Sequence, residues 1–411
     1  MSLSALRPFP AKGKTAFLPY GRQVVEDDDI AAVADVLRGD YLTTGPAVAQ
    51  FENALARRVG AAHAVACASG TAALHMAARA LDLGPGSKIV VPAITFLATA
   101  SAPHLNGAEI VFADVDPATG LMTPETFSNA LRRAGGADAL FNVHLNGQCG
   151  AIEEIAAIAR LHGMRIVDDA CHALGASHVG NGTAGCRIGE NRFCDLTVFS
   201  FHPVKAIAMG EGGAVTTNDP EIAERLVRAR NHGMTRNPAE FVNAADAFDE
   251  TGAANPWYYE LVEPGFNWRA SDLQCALGRS QLNKLDRFLE RRRMVTAAYD
   301  AMLDGCAPAL RLLGRSRSCA PAWHLYVVLI DFEACGVSRA DLMRRLAADG
   351  IGTQVHYFPV HRQPYYARRY GAVLPGADRY YARALSLPLS AAMDEDDAAR
   401  VAEALRRRLD L

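Results

Sequence analysis

Leu196-Thr197-Val198-Phe199-Ser200-Phe201-His202-Pro203-Val204-Lys205, followed closely by Met209-Gly210-Glu211-Gly212-Gly213-Ala214-Val215, decides how this chain is read. A β-type run over 196–201 breaks at Pro203, and a glycine-rich turn leads into a second run over 213–217. Between them stands Lys205, one of only five lysines among 42 basic residues. The other four have ordinary places in the pattern: Lys12 and Lys14 in the N-terminal tail, Lys88 ahead of a strand and Lys284 on a polar helix face. A primary amine between an apolar strand and a glycine-rich loop is partly desolvated, which favours its neutral, nucleophilic form and suits Schiff-base chemistry. The alternative at this stage is a plain surface lysine after a strand.

Working outward, strand-like runs alternate with helical periods from about residue 47 to 230. Helices are expected at 47–58, 71–82, 151–163 and 220–230, and strands at 89–93, 110–114, 140–145, 165–169, 196–201 and 213–217. This is the pattern of an α/β fold with a mostly parallel central sheet. The stretch 230–266 is polar and aromatic and reads as a long loop, after which one amphipathic helix over about 271–299 leads out of the core. HLYVVLID (324–331), a helix near 339–349, GTQVHYF (352–358) and a helix from about 393 predict a smaller C-terminal α+β domain. The division expected is an N-terminal arm and first helix (1–40), a large domain (41–285) and a small domain (286–411).

Bulk properties narrow the function classes. The chain has 411 residues, 50% hydrophobic and 21% charged, with a formal charge of 42 − 45 = −3. No basic block provides a nucleic-acid or anionic-membrane footprint. Apolar runs such as 89–94 are too short to span a bilayer and no signal segment opens the chain, so a cytoplasmic protein is expected. The nine cysteines include no CxxC pair, so neither a disulfide framework nor a metal site is indicated.

Four further pieces surround Lys205 in the pattern. Ser69-Gly70-Thr71 opens a helix with small residues, either an anion site or an ordinary N-cap. Asp168 and Asp169 end a strand, where a carboxylate can hold a ring nitrogen protonated or merely be solvated. Ser200 lies five residues before the lysine, and Phe96 stands just past a strand, as a stacking platform or as core. A phosphate cradle, a stacking surface, a carboxylate for a ring nitrogen and an amine for an aldehyde together describe a site for pyridoxal 5′-phosphate (PLP).

The order LTTGP (42–46), SGTAALH (69–75), TF (95–96), DDACHALG (168–175), FSFHPVKAIAMGEGGAV (199–215) and GFNWRASDLQCALG (265–278) resembles the DegT/DnrJ/EryC1/StrS family of PLP-dependent nucleotide-sugar aminotransferases, over almost the whole chain. The resemblance implies aminotransferase fold type I and a Schiff base on Lys205, with Asp169 on the pyridinium nitrogen and His172 by the phenolate oxygen. It assigns Gly70, Thr71 and Ser200 to the phosphate, and Asn267 to the phosphate of the neighbouring subunit's cofactor, so that a homodimer shares its active sites. Cys171 and Trp268 depart from the family's usual Ala/Ser and Tyr. PWYYE (256–260), HLYVV (324–328), VHYFPVHRQPYY (355–366) and SLPLS (386–390) resemble the branch that aminates C4 of a UDP-linked 4-keto-6-deoxy-HexNAc in pseudaminic acid synthesis. That resemblance implies L-glutamate as donor, pyridoxamine phosphate as the intermediate form, and substrate contacts from Tyr20, Arg269 and His356. The rivals are a family member acting on another keto-sugar nucleotide (3-keto or perosamine-type), a PLP-sensing regulator and a silent scaffold. A regulator needs a DNA-binding domain, for which the roughly 40 residues before LTTGP leave no room.

Overall fold

The computed structural model describes residues 17–180 and 185–411; Lys12, Lys14 and the start of the expected arm lie outside the described residues. Seven short strands form the central sheet: β1 (His63–Cys67), β2 (Lys88–Pro92), β3 (Glu109–Ala113), β4 (Ala139–Val143), β5 (Arg165–Asp169), β6 (Leu196–Ser200) and β7 (Gly213–Thr217). Their order is β1-β7-β6-β5-β4-β2-β3. Neighbours from β3 through to β6 run parallel, and β7 is antiparallel to both β6 and β1. Every residue of β4 and β7 is buried, as a sheet covered by helices on both faces requires. Val91, Phe141, Val167, Val198 and Val215 lie in the core built on it.

A second core gathers Tyr299, Tyr326, Val328, Leu342, Leu385, Val401 and Leu405, and takes in Leu18 from the N-terminal arm. It packs on a three-stranded antiparallel sheet of Leu310–Leu312, Tyr326–Ile330 and Ala384–Leu387. The buried Tyr299 hydroxyl donates to the Pro388 carbonyl at 2.9 Å, so even this apolar centre leaves its phenol satisfied.

Three expectations change. The single helix over 271–299 is two, Asp272–Leu282 and Leu285–Leu303. Lys284, expected on a polar face, sits in the break and is only 8% exposed. It pairs with Asp28 at 2.5 Å, Asp29 at 2.8 Å and Glu26 at 3.6 Å. Those carboxylates belong to the start of the helix Asp27–Arg38, where the helix dipole favours negative charge, and the cluster draws the ammonium inward. The expected loop at 230–266 is an ordered excursion: Met234–Thr235 pairs with Glu260–Leu261, and the Glu260 carboxylate accepts the amides of Val242 and Asn243. In the segment 352–358, Gln354 alone bridges to Ser386.

Candidate active site

A cavity of about 640 Å³ opens at the carboxyl ends of the parallel strands, where ligands bind in open α/β sheets. Tyr20, Gly70, Thr71, Phe96, Asp169, His172, Ser200, Lys205 and His356 all line it. Nine of the eleven residues singled out in the sequence therefore meet in one place, although they span more than 300 positions of chain.

One end is shaped for an anion. Ser69 caps the helix Gly70–Ala80, its hydroxyl accepting the Ala72 amide at 3.1 Å. The N-cap reading holds, and it leaves the amides of Gly70 and Thr71 at the start of the helix with no intrahelical acceptor, the arrangement an anion site needs. A Cβ at Gly70 would lie 2.8 Å from Ser200 Cβ and 3.3 Å from Cys171 Sγ, so only glycine lets the helix start this close to β6. Gly213 meets the same constraint from the other side, with Ser69 O 2.3 Å from its would-be Cβ.

At the end of β5 the two aspartates separate. Asp168 is 2% exposed; it lies 3.2 Å from His144 Nε2, off the axis of a straight hydrogen bond, and accepts Asn142 Nδ2 at 3.2 Å. Asp169, 6% exposed, faces the cavity and accepts Thr99 Oγ1 at 2.6 Å and the Cys171 amide at 3.1 Å. Thr99 Oγ1 also meets Thr95 Oγ1 at 2.7 Å. The solvated strand end is excluded for both acids. Phe96 is not core: it is 52% exposed at the rim, with Tyr357 6.0 Å away between ring centres.

Lys205 sits in the turn after β6, its amide donating to the His202 carbonyl at 2.8 Å. It is half-buried and lines the cavity. Burial holds its amine below the ordinary lysine value, and Arg292 adds to this while Cys171 and Asp169 oppose it. Arg292 is 1% exposed and donates only to carbonyls: His324 and Leu389 at 3.1 Å, Val204 and Lys205 at 3.4 Å. It ties the lysine turn to the backbone at His324 and Leu389, and burial brings its own pKa to about 10. Three imidazoles complete the wall. Burial, then neighbouring Lys205 and His356, keep His172 far below the usual histidine value. Burial, then His172 and Lys205, do the same to His324. Burial and Lys205 bring His356 to about 3.

Asn267 and Arg269 stand apart. Asn267 is exposed and bridges to Asn231, and Arg269 Nη1 donates to the Asn231 side chain; neither lines this chain's cavity. Sequence reasoning missed Thr99, His324, Arg292 and a site role for Tyr357. Thr95 and Thr99 carried a signal, since four-residue spacing places two hydroxyls on one side of a helical turn. Arg292 carried none, because a buried guanidinium served by carbonyls looks like any other basic residue of the helix Leu285–Leu303.

An amine made less basic by burial, beside a buried carboxylate and an anion cradle, on a sheet with this strand order, belongs to the class of PLP-dependent aminotransferases. The chain is a member of the DegT/DnrJ/EryC1/StrS aminotransferase family, whose model matches residues 23–406. The spore coat polysaccharide biosynthesis protein SpsC of Bacillus subtilis (strain 168) is 36% identical over 400 residues, which cover 95% of this chain and 96% of SpsC. Among solved structures, Helicobacter pylori PseC, an aminotransferase involved in the biosynthesis of pseudoaminic acid, superposes with a TM-score of 0.84 at 26% identity, covering 96% of this chain and 99% of PseC. DesV of S. venezuelae gives 0.82 at 30% identity, covering 97% and 100%. PLP is the cofactor of this family, and the residues present fit it: Gly70, Thr71 and Ser200 at the anion end, Phe96 at the rim, Asp169 and Lys205 between. Among the described residues no helix is long and apolar enough to cross a membrane.

Proposed function

We propose that this sugar aminotransferase transfers the amino group of L-glutamate to C4 of a UDP-linked 4-keto-6-deoxy-HexNAc. The likeness to PseC over 96% of the chain is the observation that carries the sugar, joined by the peripheral motifs at 256–260, 355–366 and 386–390. A second reading, amination of another keto-sugar nucleotide for polysaccharide assembly, is favoured by the 36% identity to SpsC.

PLP, when bound, supplies an aldehyde carbon for the amine and a ring that absorbs the electron pair released at the substrate carbon. In this reading Gly70 and Thr71 amides and Ser200 Oγ hold its phosphate, and Phe96 covers a ring face. Asp169 keeps a proton on the ring nitrogen, and its bonds from Thr99 and Cys171 aim it. His172 lies on the phenolate side. The Lys205 amine, made less basic by burial, would take the proton from the substrate carbon and return it to the carbon on the far side of the transferred nitrogen. Tyr20 and His356, whose rings lie 5.5 Å apart at the mouth, contact the sugar nucleotide. Asn267, exposed and away from its own cavity, reaches the phosphate site of a second subunit in a homodimer, and Arg269 two residues on faces the shared substrate space.

The test is amination of L-arabino and D-xylo 4-keto UDP-sugars side by side with labelled glutamate. Preference for the L-arabino isomer supports the first reading. A pocket discriminates strongly where a displaced hydroxyl leaves its polar groups unpaired, so a preference for the D-xylo isomer, or for a dTDP- or GDP-sugar without the acetamido group, favours the second.

A further inference from the structure

Tyr357 lines the cavity beside Phe96 and places its hydroxyl 3.1 Å from His172 Nε2. The direction of that hydrogen bond is fixed elsewhere. The backbone N–H of Asn146 points at His172 Nδ1 from 3.4 Å, and an amide can only donate. His172 is therefore the tautomer with Nδ1 bare and the proton on Nε2. Its ring is also pinned from the far side by His324, 4.2 Å away between centroids. His324 is held by its own backbone, its amide donating to Asn146 O at 3.1 Å and its carbonyl accepting Arg292 at 3.1 Å. His172 Nε2–H must then donate to the Tyr357 oxygen, and the phenol's own proton has nowhere in that pair to go.

We propose that Tyr357 is a catalytic hydrogen-bond donor, its O–H turned into the cavity by the Asn146–His172 relay toward an electron-rich oxygen of the bound cofactor or substrate. His172 is then a positioning residue that acts through the phenol. The proposal rests on the PLP reading of the cavity. Two observations support it beyond direction. Among the described residues the hydroxyl has no other hydrogen-bond partner, so a ligand oxygen satisfies a donor otherwise left to water. Burial keeps both groups in the forms the relay needs, the imidazole neutral and the phenol protonated far above neutral pH.

The experiment uses the PLP-loaded full-length enzyme and the variants Tyr357→Phe, His172→Phe, the double variant and Lys205→Ala. Tyr357→Phe keeps the ring and its packing, so folding is unaffected, and an unchanged melting temperature verifies this. Expected is a fall in kcat of roughly 10²-fold, the usual effect of losing one oriented donor. His172→Phe causes a similar fall, and the double variant is little worse than either, because the two act in series. The pH titration of the cofactor's visible absorbance separates the two acceptors. A midpoint moved to higher pH in Tyr357→Phe without substrate identifies a cofactor oxygen. An unmoved midpoint with reduced kcat on the sugar identifies a substrate oxygen. Wild-type kcat and an unmoved midpoint together overturn the proposal, as does full additivity of the two variants. Lys205→Ala distinguishes this from failure of the underlying reading: if it keeps the wild-type absorbance and turnover, the PLP site itself is wrong.

Discussion

Replacing Thr99 by Val tests the carboxylate at the centre of the site without touching the carboxylate. Thr99 is fully buried and donates to Asp169 Oδ2 at 2.6 Å. Valine fills nearly the same volume, so packing is kept while the hydroxyl's two hydrogen bonds, to Asp169 and to Thr95, are lost. Asp169 then retains the Cys171 amide at 3.1 Å as a donor, and Thr95 Oγ1 loses its 2.7 Å partner. A hydrogen bond to a charged group contributes about 1.5–3 kcal/mol. Part of that is felt equally before and during the reaction, so about 1.4 kcal/mol or somewhat more is expected in the barrier, a tenfold to thirtyfold slower half-reaction. The assay is stopped-flow conversion of the PLP-loaded enzyme by L-glutamate, followed by absorbance, with Thr99→Ser as the control that keeps the hydroxyl. A rate within twofold of wild type in Thr99→Val, with PLP fully bound, would refute the idea that Asp169 is aimed by this bond. So would a serine variant as slow as the valine one.

Two other expectations concern the subunit boundary and the buried pair behind the site. If Asn267 serves the partner's cofactor, Lys205→Ala and Asn267→Ala are each inactive, yet mixing them and allowing subunit exchange restores partial activity, because some heterodimers hold one intact site; no complementation despite demonstrated exchange places Asn267 in its own subunit. Burial alone would lower the His144 pKa, but Asp168 outweighs it and the net shift is upward. A raised folded-state value means the pairing stabilises the fold fully below the ordinary histidine value near 6.5 and fades as pH rises through the folded one. His144→Leu should thus lose more stability at pH 6 than at pH 9 in urea unfolding, and equal losses would show that the pair acts by packing rather than charge.

The sheet and the heart of the site were legible because their physics is local. An apolar run broken by proline, a small-residue turn before a helix and paired acids at a strand end each declare themselves within ten residues. β1 was passed over because His63-Ala64-Val65-Ala66-Cys67 holds one β-branched residue, and it is a strand only through its pairing with β7. The helix Ala98–Leu105 carries Pro103 within it and was equally silent. Lys284 was misplaced because amphipathic spacing shows a polar position but not that three carboxylates from 26–29 wait across from it. Where a residue's role depends on partners hundreds of positions away, no window of sequence contains the argument.

That distinction also explains how the site is charged. Lys205, His172, His324 and His356 line one cavity with Asp169, and Arg292 stands behind them. Were all four cavity bases protonated, four positive charges would face one buried carboxylate, an arrangement low dielectric makes prohibitive. Burial resolves this by pushing every one of the four downward. His324 Nδ1 is left buried without a hydrogen-bond partner among the described residues, which structure alone gives no reason to retain. An arriving anion supplies one: phosphate at the amides of Gly70 and Thr71, or a substrate oxygen at Tyr357, brings negative charge that opposes the lowering by burial. The site therefore keeps its bases short of protons until a ligand brings the negative charge that raises their affinity for one, which is the condition general acid–base catalysis by Lys205 requires.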